Sequence, residues 1–162
     1  MSEVQQARLA PARLSVREVE ALRGASFGAL MMLIIQFAIG IVVNLYVTVP
    51  AADRGSGFFG ALGKAFSSGP AALATHAGLG LLIVVAALAL VVRSVLARHA
   101  PTIVLSVLGL LGILAAVVNG IRFVSDGGPA NASLAMALST AVAMLCYAIS
   151  LFVLGRSQPA TG

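Results

Sequence analysis

Residues 71–92 read AALATHAGLGLLIVVAALALVV, a run with no Asp, Glu, Lys or Arg in which Thr75 and His76 are the only polar side chains. A helix rises about 1.5 Å per residue, so a run of this length crosses the ~30 Å of hydrocarbon in a bilayer. The rest of the chain repeats the signal. Apolar runs at about 26–49, 102–124 and 134–154 have the same reach. Of 162 residues, 60% are hydrophobic and 9% charged, and mean hydropathy is +1.06. A soluble domain this short has too little interior to bury so much apolar surface, so the expected solvent is lipid. The expected fold class is all-α, a polytopic membrane protein with four transmembrane helices in an antiparallel bundle. Residues 1–25 form an N-terminal segment, 26–155 the membrane domain and 156–162 a tail.

Basic residues set the expected orientation. Arg8, Arg13, Arg17, Arg23, Arg93, Arg98 and Arg156 fall on one side, against Arg54, Lys64 and Arg122 on the other. Because cytoplasmic loops carry the excess of Lys and Arg, both termini are expected in the cytoplasm, in a plasma membrane. The net charge of +5 is therefore topology charge. No basic helix or aromatic-studded strand presents it to nucleic acid, which is excluded as a partner. The first apolar run is longer than a signal-peptide core and has acids in its N-terminal flank, so it reads as a retained span. Cys146, the one cysteine, allows no internal disulfide and no CxxC chemistry, and reads as a packing residue.

The connections differ in kind. Ser15-Val16-Arg17-Glu18 has the form of a capping box, and Val16, Val19 and Leu22 repeat at helical spacing, which predicts a short surface helix before the first span. RSVLARHAPT (93–102) is a tight turn, with Pro101 placed to start a helix. The longer stretch AADRGSGFFGALGKAFSSGP (51–70) has two readings: a small interfacial helix through Phe58, Phe59, Leu62 and Phe66, or a loop whose aromatics dip into headgroups. SDGGPANAS (125–133) is turn chemistry and contains a sequon, Asn131-Ala132-Ser133, hard against the expected membrane.

Polar residues inside the spans are the candidate functional groups. Asn44, His76 and Asn119 each lie about five residues from the outer end of their span, within about one helical turn of a common depth. Each shares its helix face with small residues, which mark helix contacts in lipid: Gly28 and Gly40, with Met32 and Gln36 between them at i+4 steps, on the face of Asn44, Gly80 and Ala87 with His76, Gly109, Gly112 and Ala116 with Asn119. An outer-leaflet polar pocket around Asn44, His76 and Asn119 is the expectation, with Arg122 snorkelling nearby or meeting an anionic headgroup. The plainer reading is that Gln36, Asn44 and Asn119 only bridge helices. His76 is either a functional group or a histidine that bonds a backbone carbonyl or water.

Absences narrow the classes. Glu3, Glu18, Glu20, Asp53 and Asp126 all fall outside the spans, so a proton-coupled exporter of cations lacks its membrane carboxylate. Ser139 or Thr75 beside His76, with no buried acid, makes a poor hydrolase. No catalytic set emerges, and a non-enzyme is expected.

The segments QFAIGIVVNLYVTVP (36–50), ALATHAGLGLLIVVAALALV (72–91), GILAAVVNGIRF (112–123) and ASLAMALSTAVAMLCYAI (132–149) together resemble a group of uncharacterised bacterial four-helix integral membrane proteins. That resemblance covers about residues 27–155 and implies architecture. The chain is also similar to the four-helix halves of haem A synthase and to b-type membrane cytochromes, which carry histidines on facing helices. It departs from them in having a single intramembrane histidine, so the similarity implies haem held by His76 with Met136 as the other axial ligand.

The expected function is a small non-enzymatic integral membrane protein: an accessory or assembly subunit, or a binder of lipid or a small ligand in the outer-leaflet pocket. Its expected partners are membrane lipids, other membrane subunits or further copies of itself. The alternatives are a haem-binding redox protein through His76 and an oligomeric transporter or channel component lined by Gln36, Asn44 and Asn119.

Overall fold

A computed structural model of the chain describes residues 14–48, 55, 57–67 and 69–156. Arg8, Arg13, Arg54 and the tail after residue 156 lie outside them. Five helices and no strand occur among the described residues: α1 (Val16–Tyr46), α2 (Gly57–Ser67), α3 (Ala71–Leu96), α4 (Ala100–Ser125) and α5 (Ala130–Arg156).

Local chemistry explains where these helices start and stop. The Glu18 amide donates to Ser15 Oγ at 3.3 Å, and the Glu18 carboxylate accepts from the Ser15 amide at 2.8 Å. This capping box satisfies donors that a helix start leaves bare. The surface helix expected before residue 26 and the first span are one continuous helix of 31 residues. Val19 and Leu22 explain the continuity, because they are buried in the bundle core and do not lie along a membrane surface. α1 ends at Tyr46, with Val47 extended, as the β-branched run Val47-Thr48-Val49 approaches Pro50.

The α3–α4 turn places Arg98 at φ 51 and caps α4 with His99, whose Nδ1 lies 2.6 Å from Thr102 Oγ1. Burial pushes the His99 imidazole below its ordinary value. In the α4–α5 turn Gly127 and Gly128 take φ 78 and 84, and the Gly128 amide donates to the Phe123 carbonyl at 2.7 Å. That left-handed closure is the reason glycine stands there. Of the two readings of residues 51–70, the structure has the helix, α2.

The four long helices close a ring: α1 contacts α3 and α5, α3 contacts α4, and α4 contacts α5 in the most extensive pairing. Two glycines allow that last contact. A Cβ at Gly109 would lie 2.7 Å from Tyr147 Cζ, and one at Gly112 would lie 2.9 Å from the Ser139 carbonyl oxygen. Tyr147 and Ala143, on the opposing face, are fully buried. Ser26, a third of the way along α1, and Ser150 in the last third of α5 are also buried, with their hydroxyls 3.4 Å apart. At the other end, Ser133 Oγ of α5 donates to Asn44 Oδ1 of α1 at 2.9 Å.

What faces outward is as apolar as what faces in. Ile35, Leu82, Val85, Leu111, Val142 and Leu145 are all more than half exposed. Only 22% to 33% of the most apolar window of each long helix is buried within the bundle. Water would penalise such a surface, whereas hydrocarbon accepts it and leaves every helical backbone group bonded. All four long helices have the length and composition to cross a membrane, as a small multi-pass membrane protein requires.

Gly112→Ala is expected to destabilise the fold by about 1–3 kcal/mol, because backbone stands where the methyl must go. Gly28, with open space around its Cβ position, should accept alanine with a change under about 1 kcal/mol. Thermal or denaturant unfolding in detergent micelles reads both.

Candidate functional site

The end of the bundle that holds Asn44, Ser133 and α2 contains a cavity of about 340 Å³. Its wall comes from α1, α3, α4 and α5, with Leu62 of α2 completing it. α2 and the glycine two residues ahead of it each touch this end. The Gly55 amide donates to the Ser125 carbonyl at 3.1 Å, and the Phe66 ring lies against Gly78 of α3.

Most of the wall is hydrocarbon, including Leu33, Phe37, Ile83, Ile113 and Val117. No charged side chain lines it among the described residues. Its polar side chains are Gln36, Asn44, His76, Ser133 and Thr140. Thr140 is already committed, donating to the Met136 carbonyl at 2.9 Å.

The centre of the site is a pair that crosses from α1 to α3. Gln36 Nε2 donates to the His76 backbone carbonyl at 2.9 Å and stands 3.3 Å from His76 Nε2. The first bond identifies the nitrogen end of the amide, since only an N–H can face a carbonyl oxygen. An amide nitrogen only donates, so His76 Nε2 is the acceptor, and the ring proton of the neutral imidazole is on Nδ1. Within this pair two buried polar atoms are left without a protein partner among the described residues: His76 Nδ1, a donor, and Gln36 Oε1, an acceptor. Buried polar atoms are nearly always satisfied, so two unpartnered atoms on side chains that line a cavity single out this pair as the candidate site.

Spacing at i, i+4 builds the pair. Gln36 and Gly40 share a face of α1, and His76 and Gly80 share a face of α3. A Cβ at Gly40 would lie 3.0 Å from His76 Cε1, and one at Gly80 would lie 3.1 Å from Gln36 Nε2. Each polar side chain therefore sits in the notch left by the other helix's glycine.

The residues singled out from sequence separate into two sets. Asn44, His76 and Met136 line this cavity. Asn44 is itself exposed, with its carbonyl oxygen taken by Ser133. Asn119 and Arg122 stand apart from the wall. The Asn119 amide donates to the Ala115 carbonyl one turn back at 2.8 Å, which satisfies it on its own helix, and Arg122 is exposed near the end of α4. Gln36 is the member that sequence reasoning left among the bridging residues. The available signal was the paired spacing of Gln36 with Gly40 and His76 with Gly80. No group of three or more His, Cys, Asp or Glu that could hold a metal ion occurs among the described residues.

No protein-family model, curated protein or solved structure matches the chain.

The ¹⁵N spectrum of histidine-labelled protein should show His76 as the neutral Nδ1–H tautomer. Gln36→Leu removes the donor to Nε2 and should shift His76 toward the other tautomer. An Nε2–H signal in the unsubstituted protein would contradict the assignment.

Proposed function

We propose that the chain is a small non-enzymatic multi-pass protein of the plasma membrane that holds a lipid or other small ligand in this cavity. Its spans form an antiparallel bundle with both termini in the cytoplasm, which places the cavity in the outer leaflet. The Ser26–Ser150 and Asn44–Ser133 contacts, well separated along α1 and α5 and in opposite chain order, support the bundle, and the distribution of Lys and Arg supports the orientation. The observation that carries the function is the Gln36–His76 pair in the wall of an otherwise apolar cavity, each side chain keeping one polar atom without a hydrogen-bond partner. An accessory or assembly role is served by the same site, with the bound molecule or a neighbouring subunit as the partner.

A second reading has one observation in its favour: His76 and Met136 line the same cavity, as an axial pair for haem would. Against it stands the state of the imidazole. Iron binds an unprotonated nitrogen, and here Nε2 faces the Gln36 amide while Nδ1 holds the proton. Haem ligation requires Gln36 to release the ring, whereas a hydrogen-bonding ligand uses the site as it stands.

Mass spectrometry of organic extracts should find a small molecule retained by the purified protein and reduced about tenfold or more in both His76→Ala and the cavity-filling Ala137→Phe. Identical extracts from all three would remove the ligand reading. The absorbance spectrum should show no band beyond the ultraviolet absorption of the aromatic side chains. A Soret band that shifts on dithionite reduction and is lost in His76→Ala would put the haem reading in its place.

A further inference from the structure

We infer that the cavity is occupied by hydrocarbon: an acyl chain of a membrane lipid enters it, while the lipid's head stays outside. This rests on the cavity being a ligand site and names what fills it. Three observations converge on it.

The first is the state of the polar side chains in the wall. Each of the five already holds a hydrogen bond with the protein. Gln36 donates to the His76 carbonyl, Ser133 donates to Asn44, and Thr140 donates to the Met136 carbonyl. The His76 ring lies against the Gln36 amide nitrogen. The two atoms of that pair that remain unpartnered, His76 Nδ1 and Gln36 Oε1, are themselves shut off from the surface. What the cavity presents to an occupant is therefore chiefly the side-chain carbon of Leu33, Phe37, Ile83, Ile113 and Val117.

The second is charge. With no Lys, Arg, Asp or Glu in the wall among the described residues, a phosphate, carboxylate or ammonium head would be desolvated there without a counter-charge. A hydrocarbon chain needs no such partner. Water is a poor occupant as well, because a buried water needs two to four polar partners, and an apolar cavity of about 150 Å³ stays dry and takes benzene. This one is about 340 Å³, room for part of a chain.

The third is continuity with the bilayer. Ile41 and Leu45 of α1 and Leu81 of α3 line the cavity, and each is also exposed on the bundle's exterior. The same side chains thus bound the cavity and the surface that hydrocarbon covers. A chain that moves from one to the other exchanges apolar contacts for apolar contacts.

Photolabelling of the full chain in nanodiscs of palmitoyl-oleoyl phosphatidylcholine tests this. One trace probe is phosphatidylcholine with a diazirine halfway along an acyl chain, and the other carries the diazirine on the headgroup. Peptide mass spectrometry should find the chain probe on Leu33, Ile113 and Thr140, which line the cavity and are buried from the exterior. The head probe should leave these three unlabelled. In Ala137→Phe, which fills the cavity, their labelling should fall about tenfold, the worth of roughly two buried methylene groups. Labelling of the outward-facing Leu111 and Val85 should stay constant. If Ala137→Phe fails to fold, Val117→Phe fills the same space from α4. Chain label confined to outward-facing residues, label at the three buried residues that cavity filling leaves unchanged, or equal or stronger label there from the head probe overturns the chain assignment. The ligand site itself then stands if organic extracts still lose a molecule in His76→Ala and Ala137→Phe, and falls with it if they do not.

Discussion

The missing Cβ of glycine is the constraint on which this structure depends. Lipid supplies no hydrophobic drive to bring apolar helices together, so contact must come from close packing. At Gly109 and Gly112, α4 receives the Tyr147 ring and the backbone of α5 at Ser139. At Gly40 and Gly80, α1 and α3 receive each other's polar side chain. The first pair of notches holds the bundle, and the second builds the site.

The polar interior follows a strict accounting. Ser94, Ser106, Thr140 and Asn119 return their donors to carbonyls of their own helices. Those bonds satisfy the side chains without linking helices. Ser26 with Ser150 and Ser133 with Asn44 make the links between α1 and α5. Against that background the exceptions stand out: Tyr147 Oη, His76 Nδ1 and Gln36 Oε1. The Tyr147 hydroxyl lies in the packed α4–α5 seam at Gly109, where the ring's packing holds it. The other two belong to side chains that line the cavity, which separates a packing residue from a candidate site.

Much of the architecture is legible in the chain. Four apolar runs, the capping box at Ser15 and Glu18, and the glycines of the 125–133 turn each have a local cause, and each meets its counterpart in a helix or a turn. Matched depth also brought Asn44 and His76 to one level, and they share a wall. Depth could not tell Asn119 from them, because an asparagine in a helix can satisfy itself on the carbonyl four residues back. Nor could it promote Gln36, whose importance lies in which nitrogen of His76 it faces. The helices are apolar all round, so hydrophobic periodicity carries little information about which side looks inward.

By itself the sequence determined the helical class, the number of long apolar segments and the turns between them, since these follow from composition, length and local backbone chemistry. The tertiary structure alone decided that α1 and α3 cross where Gln36 meets Gly80 and His76 meets Gly40. It also decided that the cavity beside them is uncharged and that one donor and one acceptor are left over. Those properties depend on where separate helices touch, and an unsatisfied atom is defined only once every neighbour is in place.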